Sequence, residues 1–175
     1  MLSEVHQLDG GDCVRLRLTR PSDARLVQDF LERLSPQTRE RRFLYAMPEV
    51  TDATVRHFTF YDPRERITFA ASMPGEGGEQ IVGLADAAFL GTGLAEIGVV
   101  VDDQHQGRGV GKLLSEAVAS VAIKRGATHL KAHMQSENTP MLRLFERLGR
   151  TIRSVENGTS TAYVRLRADR SVSAA

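Results

Sequence analysis

Gln106-Gly107-Arg108-Gly109-Val110-Gly111-Lys112 combines residue types and spacing that suit one kind of chemistry, the holding of an anion by backbone amides. An apolar run ending in Val99-Val100-Val101 precedes it, and a segment with apolar residues at helical steps follows. The first N–H groups of a helix lack partners within the helix. They point, with the positive end of its dipole, at whatever lies beyond the N-terminus. Glycines at 107, 109 and 111 let a phosphate approach with no Cβ in the way, and Arg108 and Lys112 offer charge-assisted hydrogen bonds. Spacing separates the known glycine patterns. A nucleoside-triphosphate loop requires Gly where Gln106 stands and Ser or Thr where Leu113 stands. A dinucleotide fingerprint requires Gly at Lys112 or at Leu114. What fits is Gln106-x-x-Gly109-x-Gly111, directly after a strand and opening a helix.

Strands and helices must alternate around this segment to position it. Val14, Leu16 and Leu18 alternate with Arg15, Arg17 and Thr19, which predicts a half-buried strand. Ser22 is placed to cap a helix carrying Leu26, Val27, Phe30, Leu31 and Leu34. Ser35-Pro36 opens a second helix, and Thr51 caps a third over about 52–58. Extended runs over 67–72, 80–90 and 94–101, separated by glycine turns, read as an antiparallel meander. Val110, Leu113, Leu114, Ala117, Val118, Val121 and Ala122 mark one face of a long helix stopped at Gly126. A strand over 129–135, a helix over 139–148 and strands over 152–157 and 161–167, joined by an Asn157-Gly158 hairpin turn, complete the chain. The fold class expected is α+β with a β-α-β unit at its centre. A flexible start over 1–12, one domain over 13–168 and a disordered tail over 169–175 are the expected organisation.

A chain of 175 residues, 41% hydrophobic and 26% charged, can bury a core without disulfides or metals. Cys13, the single cysteine, excludes a disulfide framework and cysteine-rich zinc sites. His129 and His133 fall on a predicted strand with no Cys or acidic third ligand at useful spacing, so no metal is expected. No apolar stretch reaches the ~18–20 residues of a membrane span and the N-terminus lacks a signal pattern, so a cytoplasmic protein with no membrane partner is expected. The net charge of +1 hides an asymmetry. Residues 1–103 carry 11 Arg against 17 acids, and residues 104–175 carry 12 basic residues against 5 acids, which favours an anionic partner for the second half. Interleaved aromatics of the kind that nucleic-acid binding uses are missing there, so the anion expected is not a nucleic acid.

The Gln106-x-x-Gly109-x-Gly111 segment resembles the acyl-CoA pyrophosphate signature of the GNAT superfamily of N-acyltransferases, and the segment order from about 15 to 167 is similar to that of the same family. Leu34-Ser35-Pro36-Gln37-Thr38-Arg39, followed by Arg42-Phe43, is similar to a segment of its bacterial protein lysine acetyltransferase branch. The resemblance implies a mixed, mostly antiparallel twisted sheet flanked by helices, with a V-shaped opening where the strand ending at Val101 splays from the strand beginning near His129. Acetyl-CoA would lie in that opening as co-substrate. The backbone of Val99 and Val101 would meet its pantetheine arm, the amides of Gln106, Gly107, Arg108, Gly109, Val110, Gly111 and Lys112 its pyrophosphate, and Asn138 the cofactor arm. The second partner implied is an amine acceptor, foremost a lysine of a protein such as an acyl-CoA synthetase, with small amines, amino acids or a non-catalytic sensing role as alternatives. The protein would act as a monomer or homodimer.

An amine attacks a thioester only as the neutral base, and a lysine of pKa ~10.4 is almost wholly protonated at neutral pH. Glu96 sits where the resemblance places the catalytic glutamate and is the candidate general base. The chain departs from the family at Leu144-Phe145-Glu146-Arg147-Leu148-Gly149, where many members carry Tyr in place of Phe145 as the acid that protonates the leaving thiolate.

Overall fold

A computed structural model describes residues 3–8 and 10–167. Among these, strands β1 (Glu4–Gln7), β2 (Cys13–Leu18), β3 (Arg66–Gly75), β4 (Gly78–Phe89), β5 (Leu94–Val101), β6 (His129–Gln135), β7 (Gly149–Glu156) and β8 (Thr159–Leu166) build one sheet in the order β1-β2-β3-β4-β5-β6-β8-β7. Neighbours pair antiparallel except β5 and β6, which are parallel and joined by helix α4 (Val110–Lys124). Helices α1 (Ala24–Arg33), α2 (Pro36–Phe43) and α3 (Asp52–Thr59) come between β2 and β3, and α5 (Thr139–Leu148) between β6 and β7. The sheet is therefore mixed and mostly antiparallel, flanked by helices, as the resemblance implies.

Two cores hold the layers. Val110, Leu114, Val118 and Ala122 of α4 and Phe145 and Leu148 of α5 are buried with Ile67, Phe69, Ala85 and Ala87 of the sheet. Val27, Phe30 and Leu31 of α1 and Val55 and Phe58 of α3 are buried with Ala70, Ile81, Leu84 and Val100. Neighbouring positions such as Phe69 and Ala70 on β3, or Leu84 and Ala85 on β4, thus serve opposite helix layers, and a register shift beside Ala71 reverses the parity toward the start of β4, where Ile81 joins the second core. Arg17 of β2 sits between Asp23 and Glu79, donating to both carboxylates, and ties the start of α1 to the sheet. Its hydrogen bond is the main reason that the Glu79 carboxyl lies below the ordinary range.

Two expectations are corrected. Glu4–Gln7, within the start expected to be flexible, is a strand whose ladder with β2 runs from Glu4↔Leu16 to Gln7↔Cys13. Ser22 does not cap α1: a 3-10 turn over Pro21–Asp23 precedes that helix, with the Arg20 N–H donating to the Asp23 carboxylate at 2.7 Å. Asp23 holds the N-cap position of α1 without a side-chain cap bond, its carboxylate being engaged by the Arg20 N–H and by Arg17. The expected tail 169–175 lies outside the described residues.

Gly149 starts β7 directly after α5, with an extended φ of 170° that any residue can adopt. Its requirement is steric, since an added Cβ would run into the Arg165 carbonyl oxygen of β8. Gly149→Ala is expected to destabilise the fold by about 3 kcal/mol, read as a lowered urea midpoint, because backbone must move to admit the methyl group.

Candidate active site

The parallel register of β5 and β6 extends over Leu94↔His129, Ala95↔Leu130 and Glu96↔Lys131 and stops there. Beyond that point β5 stays paired with β4 and β6 with β8, so the two strands part like a V. Two cavities meet in this opening and share Arg41, Arg42, Val99, Asn138 and Met141.

The first cavity, of about 470 Å³, runs along the N-terminus of α4. Gly109 holds the left-handed φ of 93° that turns the chain into the helix, and no side chain caps the helix start. Gln106, Gly107, Gly109, Gly111 and Lys112 line the groove together with Val99, Val101 and Asn138. Its cations are Arg41, Arg42, Lys112, Arg143 and Arg147, and no carboxylate lines it. A groove so charged favours a multiply anionic ligand.

Helix α2 is clasped to the loop that opens this groove. The Asp103 carboxylate accepts from the Ser35 N–H at 2.9 Å, the Ser35 hydroxyl at 2.8 Å and the Thr38 hydroxyl at 2.6 Å. Burial disfavours its charge, but these bonds outweigh burial and hold its carboxyl below the ordinary range. Gln106 adds a second tie, its amide donating to the Val101 carbonyl at 3.1 Å and reaching Thr38 Oγ1 at 3.3 Å. The Leu34-Ser35-Pro36 segment thereby fixes α2, and with it Arg41 and Arg42, against the cleft.

The second cavity, of about 340 Å³, lies on the other side of Val99 and is lined by Glu96, Gly98, Asp86, His57, Arg66 and His133, among others. The Arg42 guanidinium lies over Gly98, where a Cβ would stand 2.5 Å from its Cζ. Arg42 donates to Asp86, which also meets Arg66 Nη1 and His57 Nε2, each at 3.3 Å. Burial pushes the Asp86 carboxyl up, but the charges of Arg42, His57 and Arg66 pull it further, to below the ordinary range. Glu96 stands at the vertex of the V, its Oε2 3.2 Å from Lys131 Nζ and 4.0 Å from His133 Nε2.

Of the residues singled out by sequence, Val99 and Asn138 touch both cavities, Glu96 only the second, and Val101, Gln106, Gly107, Gly109, Gly111 and Lys112 only the first. Asn138 also caps α5, its Oδ1 accepting from the Met141 N–H at 3.2 Å. Arg108 and Val110 line neither cavity. Arg108 pairs with Asp12, and the Val110 side chain is buried in the core. Phe145 is fully buried and also lines neither. Sequence reasoning missed Arg143 and Arg147, although their spacing of four on a predicted helix already put them on one face. It also missed the Asp86 cluster, whose partners lie 20 to 44 positions away and leave no local signal.

Comparison with known proteins bears on the family and the fold. Residues 27–149 match the acetyltransferase (GNAT) family. The chain is 30% identical over 146 residues to an acetyltransferase of Pseudomonas aeruginosa, covering 83% of this chain and 78% of that one. It is 28% identical over 147 residues to the acetyltransferase Pat of Mycolicibacterium smegmatis, covering 82% of this chain but only 43% of that longer protein. The GNAT domain of Streptomyces lividans Pat superposes with a TM-score of 0.84 at 29% identity, over 94% of this chain and 97% of that one.

Proposed function

The chain belongs to the GNAT family of acetyltransferases, and we propose that it transfers the acetyl group of acetyl-CoA to the side-chain amine of a protein lysine, with Glu96 as general base. One observation carries this reading: a cationic groove without carboxylates opens, across Val99 and Asn138, into a cavity that presents a glutamate.

In this mechanism the uncapped amides at the start of α4 and the ammonium of Lys112 hold the diphosphate. Arg143 and Arg147 neutralise further phosphate charge, while the backbone of Val99 and Val101 and the side chain of Asn138 align the pantetheine arm. Arg108, engaged with Asp12, is not assigned to the set. The acceptor enters from the second cavity and Glu96 takes its proton, directly or through water. The free amine then attacks the thioester, a backbone N–H near Val99 receives the developing oxyanion, and CoA leaves as the thiolate. Phe145 carries no proton to give, so the thiolate is protonated by water. A thiol of pKa ~8.5 makes this a tolerable departure near neutrality.

A second reading, a small amine that also bears a carboxylate, is favoured by Arg41, Arg42 and Arg66 in the wall of the acceptor cavity. Release of CoA measured with a panel of lysine-bearing proteins, free amines and amino acids separates the two. CoA binding without transfer to any amine would refute both. For the cofactor side, Arg143→Ala combined with Arg147→Ala is expected to raise KM for acetyl-CoA about tenfold, since one charge-assisted hydrogen bond contributes about 1.5–3 kcal/mol and 1.4 kcal/mol is a factor of ten. Steady-state kinetics at two salt concentrations check it, the double variant showing the weaker salt dependence.

A further inference from the structure

The Glu96 carboxylate already holds an ammonium group. Lys131 Nζ lies 3.2 Å from Glu96 Oε2, and the two residues form the last registered pair before β5 and β6 part. Paired residues of parallel strands project from the same face, so Lys131, which lines neither cavity, stands directly beside Glu96, the candidate base, at the point where the strands part. Its side chain keeps 20% of its exposure and carries the ammonium on a flexible four-carbon stem. Elsewhere this chain neutralises buried carboxylates with arginine, as Arg17 does for Asp23 and Arg42 and Arg66 do for Asp86. Three of its 23 basic residues are lysines, and one of them faces Glu96. An arginine there would be inert toward a thioester, because a guanidinium does not deprotonate in proteins, whereas a lysine amine beside a base becomes a nucleophile.

We propose that Lys131 is an internal acceptor, and that the protein acetylates this lysine from its own bound acetyl-CoA. The inference rests on the acetyltransferase reading and on Glu96 as its base. The Lys131 ammonium gives one proton to Glu96, and the freed nitrogen pair attacks the thioester carbonyl carbon. The C–N bond forms, the C–S bond breaks with its electron pair leaving on sulfur as CoA thiolate, and the nitrogen loses a second proton to water. The product is an uncharged N-acetyl-lysine at position 131. The ion pair with Glu96 is gone, so an external amine meets the base without a resident competitor.

The test is mass spectrometry of the full chain incubated with acetyl-CoA and no added acceptor, run beside the amine panel. Expected is one added acetyl group, located by fragmentation on Lys131 rather than on Lys112 or Lys124. The rate should be first order and independent of protein concentration, as an intramolecular step requires. Glu96→Gln should slow the labelling about 100-fold, the lower end of what a general base contributes, and Lys131→Arg should abolish it. External amines acetylated while Lys131 stays unlabelled would overturn the inference and leave the proposed function standing. Equal labelling of all three lysines, or undiminished labelling in Glu96→Gln, would mark plain chemical acetylation and also overturn it. No transfer to any amine, internal or external, would remove the enzymatic reading and this inference together.

Discussion

Glu96→Gln is expected to lower kcat/KM for acetyl transfer by about 10²–10³ while the affinity for acetyl-CoA stays within a factor of about two, since general base catalysis contributes roughly 10²–10⁴. The amide has the shape of the acid but cannot take a proton from the incoming ammonium. The residues lining the cofactor groove do not include Glu96, so binding measured by calorimetry has no reason to change. Stability should change little as well. The one close ion pair lost is with Lys131, and the Glu96 side chain keeps 40% of its exposure, where such pairs contribute about 0–1 kcal/mol. Transfer at the unaltered rate across the pH range would remove Glu96 from the chemistry.

Removing the Asp86 carboxylate is the most damaging single change expected for stability. This carboxylate is buried and is shared by Arg42 and Arg66 in the lining of the second cavity, with His57 against it as well. Asp86→Ala leaves two guanidinium groups without the carboxylate they share, and breaking one partner out of a buried pair costs about 3–5 kcal/mol. Arg42 Nε is already buried without a hydrogen-bond partner, so the remaining contacts cannot absorb the loss. Arg42 also rests over Gly98 and lines both cavities, and activity is expected to fall together with the urea midpoint.

The same carboxylate sets a pH dependence. Its proton affinity in the folded chain is lowered relative to the unfolded chain, where an aspartate titrates near ~3.9. The unfolded state therefore binds more protons in acid, and stability falls as pH drops. The stabilisation from Asp86 is fully present above the unfolded value and is lost as the pH falls through the lowered folded value. Asp86→Asn should thus differ most from the parent near neutrality, with the gap closing in strong acid. Urea midpoints measured from pH 7 downward check this, and a constant gap would contradict it.

Most of the site was legible in the sequence because its backbone elements are local. The bounds of β5, β6, α4 and α5 follow from apolar periodicity and from punctuation at Gly109, Gly126 and Gly149, each acting within a few residues. Side-chain partnerships were not legible. Asp86 lies in a run of small apolar residues on β4, and nothing nearby announces that Arg42 will be its partner. The clasp of Asp103 on Ser35 and Thr38 spans 65 to 68 positions and exists only once the sheet brings α2 beside the loop. β1 escaped for a related reason: three of its four residues are exposed, so no alternation marks it, and its ladder to β2 defines it instead. Gln106 illustrates a finer limit, since the motif located the residue while the structure commits its amide to Val101 and Thr38.

The Asp103 clasp has an energetic corollary. Helix α2 carries Arg41 and Arg42 into both cavities and is bolted at its start to the loop leading into the glycine turn. Whatever free energy one occupant expends in shifting that helix must reappear, equal in size, in the affinity of the other, because thermodynamic coupling between two sites is reciprocal. Any such coupling between the two cavities would run through the contacts of a single aspartate that lines neither of them.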